Sequence, residues 1–294
     1  MAFTLHIKSK GLFKSKKIDF IAILTNCGFK FGSLNEFYVL KEEKSEKDTA
    51  ILYNPKRIGR GIFFDASKAS EGEITISYNI PTTAAEIRDF VSLAKEIESQ
   101  LKKASFYCEE EKKEYTIKSL EENIDNMIAF SLESLHSFCK KEYQEYVLTL
   151  ALFPWFMPPQ KKEQYLSCAT LFDLEQTLHD LQKADVYYAN PTLMKNKATQ
   201  KIAAIYTLTE DCQSIFPINA AGFLNLSEVQ IDEGLIRFFI YSEKRMVDGV
   251  FPYSEFVNYM MKEKGAKLFD TQHMIVPNVS KKEIEEMIEA ISAK

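Results

Sequence analysis

The sequence predicts an α+β fold of two similar sheet-plus-helix halves, residues 1–150 and 151–294, with mostly antiparallel strands and helices packed on one face. Three observations predict it. Short segments such as "AFTLHI" and "EITISY" alternate apolar and polar residues, the period of a half-buried strand. Longer segments carry an apolar stripe at helical spacing behind a capping signal. The order of these elements also recurs: Ala104 to Ala266 is 162 residues, Ser119 to Ser280 is 161 and Pro81 to Pro252 is 171. Coarse recurrence at one offset raises the expectation of an internal duplication. Hairpin-then-helix order is common in α+β proteins, however, and residue identity between the halves is slight.

In chain order, "AFTLHI" places Phe3, Leu5 and Ile7 on one face of a strand. The basic loop "KSKGLFKSKK" leads into "IDFIAILTNCGF", where Gly28 falls at a helix C-cap. "FYVL" and "TAILY" read as strands around the charged loop "KEEKSEKD", and Asn54-Pro55 makes a turn. "RIGRGIFF" and "EITISY" read as the arms of a hairpin. The clearest helix follows, with Thr83 and Glu86 as a capping box and Ile87, Phe90, Val91, Ala94, Ile97 and Leu101 as its stripe. "ASFYC" is a short strand, and Ser119 with Glu122 is expected to cap the next helix. In the second half "GLIRFFIYSEKRMVDGVF" reads as strand, turn and strand, and Pro252 opens a helix. "AKLFD" answers "ASFYC", and Ser280 with Glu283 caps the last helix. The join between halves is placed at "PWFMPPQKKEQ", whose prolines interrupt regular structure.

The net charge of −5 hides an asymmetry. Residues 1–70 carry 13 Lys and Arg against 7 Asp and Glu, and the remainder 24 against 35. A basic amino-terminal quarter on an acidic body suits an acidic partner, possibly within the same molecule, whereas general nucleic-acid affinity is disfavoured because the body repels phosphate. Five scattered cysteines without a CxxC pair read as buried thiols of a cytoplasmic protein. The longest nearly apolar run, "YVLTLALFPWFM", is broken by Thr149 and Pro154 and is too short to span a membrane of about 30 Å as a helix. It reads as core, and Trp155 within it as a packing residue.

Several familiar chemistries lack their residues. "GRG" has Phe64 where a dinucleotide fingerprint needs its third glycine, and a strand follows instead of a helix. No Walker loop, HExxH or GxSxG is present, so the sequence calls for no cofactor, no metal and no assigned catalytic residue. His136 and Cys139 share a helical face but amount to two ligands, short of a zinc site. Cys27, at a helix C-terminus, sits where the dipole disfavours a thiolate.

What remains is "NPKRIGRGIFFD", with Lys56, Arg57 and Arg60 around two of the chain's ten glycines. As an unbroken strand it would put Ile58, Arg60, Ile62 and Phe64 on one face and leave Gly59 and Gly61 to bare backbone to a close neighbour. Two readings stay open: close packing with a satisfied arginine, or contact with an anion or acidic peptide through Lys56, Arg57 and Arg60. "YNPKRIGRGIFFD" with "SYNIPTTAAEIRDF" resembles a family of uncharacterised bacterial proteins of about this length, which implies no assigned activity and no catalytic residues. By architecture alone, paired sheet-and-helix units are also similar to small secretion chaperones and immunity proteins. The expected function is recognition of another protein, the basic quarter meeting an acidic surface. The rival is an enzyme whose site forms between the halves.

Overall fold

Alternation in the first strand sets the frame for everything packed on it. The computed structural model describes residues 1–9, 18–43, 45, 48–101, 103–221 and 230–292. The chain forms two units, Met1–Ala184 and Asp185–Lys294.

In the first unit β1 (Ala2–Ser9) buries Phe3, Leu5 and Ile7, as its alternation requires. Helix α1 (Phe20–Cys27) starts where Asp19 accepts the Ala22 N–H at 2.9 Å and stops at left-handed Gly28. Four strands follow, β2 (Lys30–Leu34), β3 (Leu40–Glu42), β4 (Thr49–Tyr53) and β5 (Ile62–Asp65), then β6 (Glu73–Asn79) and helix α2 (Ala84–Leu101). Strands β7 (Ala104–Cys108) and β8 (Lys113–Tyr115) lead directly into helix α3 (Ile117–Lys140). The strands form one eight-stranded sheet in the order β3-β2-β4-β5-β6-β1-β7-β8, and every neighbouring pair is antiparallel. Phe3, Leu5, Ile7, Ile74 and Ile76 from the sheet meet Phe20 and Ile23 of α1, Ile87, Phe90 and Ile97 of α2, and Leu120 and Met127 of α3 in one core cluster. The helices therefore cover one face. The unit ends with the hairpin β9 (Val147–Thr149) and β10 (Pro154–Phe156) and helices α4 (Pro159–Leu166) and α5 (Phe172–Gln182). Trp155 is buried in that hairpin, so the proline-rich segment lies inside the first unit and residues 151–184 fold with it.

Three local expectations shift. "FYVL" is not a strand as a whole: Asn35 accepts the Phe37 and Val39 N–H groups at 2.9 and 3.0 Å, and this side-chain-to-backbone turn delays the strand to Leu40. The α3 cap lies one turn earlier than Ser119 and Glu122, because Thr116 is the N-cap and Ser119 is its reciprocal partner. "RIGRGIFF" becomes a strand only at Ile62, since Gly61 adopts φ +86°. Of the basic run, Lys10, Lys14, Lys16 and Lys17 lie outside the described residues.

The second unit carries a four-stranded sheet of Tyr187–Tyr188, Ser214–Pro217, His273–Val276 and Lys267–Leu268. A five-stranded sheet is built around the parallel pair Ile202–Thr209 and Glu233–Ile240. Among the described residues this unit also has helices Tyr253–Glu263 and Lys281–Ser292, the latter with the expected Ser280–Glu283 cap. The class is α+β, but one eight-stranded sheet and a pair of smaller sheets do not repeat a common plan. Within the four-stranded sheet, buried His273 bridges Asp270 (Nδ1 to Oδ1, 2.9 Å) and Tyr188 (Nε2 to Oη, 2.7 Å). The arrangement fits an imidazole donating to the carboxylate and accepting from the phenol. Asp270→Ala leaves that donor buried and is expected to destabilise the protein by about 1–3 kcal/mol, read as a lower urea midpoint in far-UV circular dichroism. An unchanged midpoint would contradict it.

Candidate functional site

The segment singled out in the sequence is a loop wrapped around a buried carboxylate. Asn54 turns the chain, accepting the Lys56 N–H on its side chain and the Arg57 N–H on its carbonyl at 3.1 and 3.0 Å. Lys56 is then exposed, while the Arg57 guanidinium forks onto Asp89 of α2, Nε to Oδ2 at 3.1 Å and Nη2 to Oδ1 at 2.5 Å. The Arg60 and Gly61 N–H groups both donate to Oε2 of Glu86, at 2.5 and 3.0 Å, and the Thr82 hydroxyl donates to Oε1 at 3.1 Å. Consecutive N–H groups converging on one anion form a concavity of the kind that binds phosphate elsewhere. Here the protein's own carboxylate fills it.

Both glycines follow from this. A Cβ on Gly59 would lie 1.9 Å from Glu86 Oε2, and one on Gly61 would lie 2.5 Å from Ile51 at a φ that L-residues resist. The Arg60 side chain leaves the loop and donates to two carbonyls, Nε to Thr149 at 3.0 Å and Nη1 to Pro81 at 2.9 Å. The Gly59 carbonyl accepts from Gln182 of α5 at 2.8 Å, and Gln182 in turn accepts the Leu152 N–H at 2.9 Å. Arg57 and Arg60 are thus tied to different partners, and Lys56 alone of the three faces solvent without joining the network. Glu86 was expected to close the helix cap. Thr83 does accept the Glu86 N–H at 3.0 Å, but the carboxylate turns into the loop instead of back to Thr83.

Burial raises the pKa of Glu86 above the ordinary carboxylate value, against the Gly61, Thr82 and Arg60 donors that favour the charged form. Enclosure lowers the Arg60 guanidinium to about 10, with Glu86 opposing the shift, even though the residue as a whole keeps some exposed surface. The Arg57 guanidinium is held up by its hydrogen bonds to Asp89. The thiols of Cys27, Cys108 and Cys139 are each pushed up to about 11, chiefly by burial, away from the thiolate form a nucleophile needs. The structure adds Cys168 to His136 and Cys139, its Sγ 3.7 Å from His136 Nε2. That nitrogen is 3.0 Å from the Cys168 carbonyl, a hydrogen-bond contact, and among the described residues no three His, Cys, Asp or Glu are placed to hold a metal.

A second feature is a groove of about 720 Å³ at one end of the eight-stranded sheet. Met1, Ala2 and Phe3 of the β1 end, Tyr78 and Ile80 at the β6 end, the β7–β8 turn and α3 line it. Phe3 stacks on Tyr78 at 5.5 Å and meets Tyr115 edge-on at 6.4 Å, giving an aromatic floor, and Phe130 of α3 is 47% exposed. Polar groups mark the rim. The Tyr115 hydroxyl donates to Glu111 and accepts weakly from Asn123 at 3.5 Å, and Asn126 donates to Asn123 at 2.9 Å. Glu110 accepts the Thr4 N–H at 3.0 Å. Burial and the Glu111 carboxylate push the Tyr115 phenol up. Burial also pushes Glu110 up, but its Thr4 hydrogen bonds win and hold it below the ordinary value. Neither shift brings a group toward neutrality, where a general acid or base works best.

The family described as Domain of unknown function (DUF4299) matches residues 2–287. The chain belongs to this family. The DUF4299 match spans both units, in keeping with the expected kinship to uncharacterised proteins, and takes in the Gly-Arg-Gly loop, α2 and every groove residue except Met1. No curated protein and no solved structure matches the chain. Among the described residues, no helix is long and apolar enough to cross a membrane.

Removing the Glu86 carboxylate orphans three buried donors. Glu86→Ala is expected to cost about 3–5 kcal/mol, and Gly59→Ala to destabilise by displacing the same group, both measured as urea midpoints. The pH dependence has a definite sign. A folded pKa above the unfolded value of about 4.3 means the folded chain binds that proton more tightly. The stability of the wild type relative to Glu86→Gln should therefore fall as pH rises from about 4.3 through the raised value. A difference that grew with pH over that interval would show that the hydrogen bonds, not burial, govern this carboxylate.

Proposed function

We propose that the protein is a binding module that recognises another protein, chaperone-like or immunity-like in holding its partner without transforming it, and that the groove at the sheet end receives an apolar side chain of that partner. The groove carries the reading: it combines adequate volume, an aromatic floor, an exposed Phe130 and a rim of polar groups held in place by hydrogen bonds. Recognition of an acidic surface by Lys56, Arg57 and Arg60 draws less support. Arg57 is committed to Asp89 and Arg60 to two carbonyls, and Lys8 and Lys30 each lie 3.1 Å from their own carboxylates, Glu73 and Glu42. The alternative, an enzyme whose site forms between the two halves, has no catalytic residue assigned to it. A cytoplasmic setting belongs to the proposal and suits five free thiols.

Replacing Phe130 with a photo-crosslinking phenylalanine analogue tests this in the organism's own lysate. The expected result is one protein cross-linked through an apolar residue, competed away by unmodified protein, lost in Phe130→Glu and retained in Lys56→Ala/Arg57→Ala. Retention in Phe130→Glu with loss in the double lysine–arginine variant would move the interface to the basic loop and overturn the groove assignment.

A further inference from the structure

Helix α5 meets the Gly-Arg-Gly loop with a polar stripe. Glu175, His179 and Gln182 follow one another a turn apart, and each bonds to the backbone of another segment. Glu175 accepts the Ala85 N–H at 3.0 Å, and Gln182 donates to the Gly59 carbonyl at 2.8 Å while accepting the Leu152 N–H at 2.9 Å. Between them the Ile58 N–H lies 3.2 Å from His179 Nδ1. A backbone N–H only donates, so Nδ1 is assigned as the bare nitrogen of a neutral ring, with the ring proton on Nε2. Imidazole is the side chain that gains a proton between about pH 5 and 8. An imidazolium carries N–H on both nitrogens, so turning the ring supplies no acceptor. Ile58 is 5% exposed, and its N–H would then face a cation with little water to replace the lost bond.

We infer that His179 is an acid-released clasp: neutral, it fastens the Gly-Arg-Gly loop to α5 at Ile58, and protonated, it lets that point go while Gln182 keeps its hold on Gly59. The sign follows from the geometry. The bond forms only with the neutral ring, so it is present at high pH and lost as pH falls. The surrounding charges divide. Arg57, next to Ile58 in the loop, opposes a second cation, although Asp89 of α2 holds it in a fork. On α5 itself Glu175 and Asp180 favour the imidazolium, and Lys183, 2.5 Å from Asp180, opposes it. Glu86 of α2 is already taken up by the Arg60 and Gly61 N–H groups, and the hairpin residues Leu150, Ala151 and Leu152 bring no charge. Asp180 is exposed and screened by water, whereas the Ile58 N–H is buried and in contact with the ring, so the contact decides the outcome. The inference stands apart from the groove and does not depend on what the groove binds.

Amide hydrogen exchange followed by NMR from about pH 8 to about pH 5, corrected for the intrinsic exchange rate, tests it. The expected result is that protection of the Ile58 amide falls about ten-fold or more across that range, the size of one buried hydrogen bond lost. The Leu152 amide, held by Gln182, which does not titrate, should change little over the same range. In His179→Asn, whose side-chain oxygen takes the place of Nδ1 and cannot be protonated there, Ile58 protection should stay level. Constant Ile58 protection in the wild type would overturn the inference, whether or not any variant folds. Equal losses at Ile58 and Leu152 would overturn it too, because they would mark a general loosening of the unit. The same pH dependence in a folded His179→Asn would place the titrating group elsewhere and overturn the role of His179.

Discussion

One buried carboxylate holds the first unit's elements in register. Glu86 sits in the first turn of α2, and its oxygens take the Arg60 and Gly61 N–H groups just before β5 and the Thr82 hydroxyl that precedes the helix. A carboxylate withdrawn from water costs several kcal/mol unless donors replace the solvent. Here three donors do so, and each belongs to backbone or side chain that would otherwise need its own partner. The consequence is geometric. The Arg60–Gly61 backbone can approach α2 this closely only because Gly59 has no side chain to strike Oε2. Strand, turn and helix therefore meet at a point where a Cβ would not fit.

Further contacts spread from that point. Thr82 exchanges hydrogen bonds with Ser131 of α3, its N–H to Oγ at 2.8 Å and Oγ back to its carbonyl at 2.7 Å. Glu175 of α5 accepts the Ala85 N–H at 3.0 Å, a second carboxylate at the positive end of α2. The Arg60 guanidinium, for its part, ties the β9 carbonyl of Thr149 to Pro81. Such a network specifies one arrangement because each member, if displaced, leaves another buried and unpaired. The basic loop that resembled a docking surface in the sequence is mostly spent on holding the protein together.

The legible parts of the fold were those decided by neighbours in sequence. The α2 stripe, the alternation of β1 and β6, the Gly28 C-cap and the Ser280–Glu283 cap each depend on residues within a turn or two, and each is found. The Gly-Arg-Gly loop was illegible because its partner is 26 residues away and had a competing local reading as a cap. Alternation could not expose Gly61 either, since a left-handed glycine and a strand glycine are written alike. At α3 the Ser119–Glu122 signal misplaced the cap by one turn, because Thr116 takes the Ser119 N–H and Ser119 takes the Thr116 N–H in return. The groove was the least visible feature. Its walls come from residues 1–3, 78–80, 110–115 and 123–130, and only the run "CEEEKKEY" gave a local sign that charge was concentrated there.

The contrast between loop and groove carries the functional argument. In the loop, charge is answered from within: Asp89 for Arg57, carbonyls for Arg60, backbone for Glu86. Such groups have less left to offer a partner, because recruiting them would mean breaking an existing, at least partly buried bond before making a new one. In the groove, exposed Phe130 stands beside the rings of Phe3, Tyr78 and Tyr115, with polar groups at the rim. Recognition draws on groups already desolvated or oriented but incompletely matched, since those gain most when a complementary surface arrives. On that criterion Arg57 and Arg60 are engaged within the first unit, and the groove at the sheet end is where the proposed partner would gain the most.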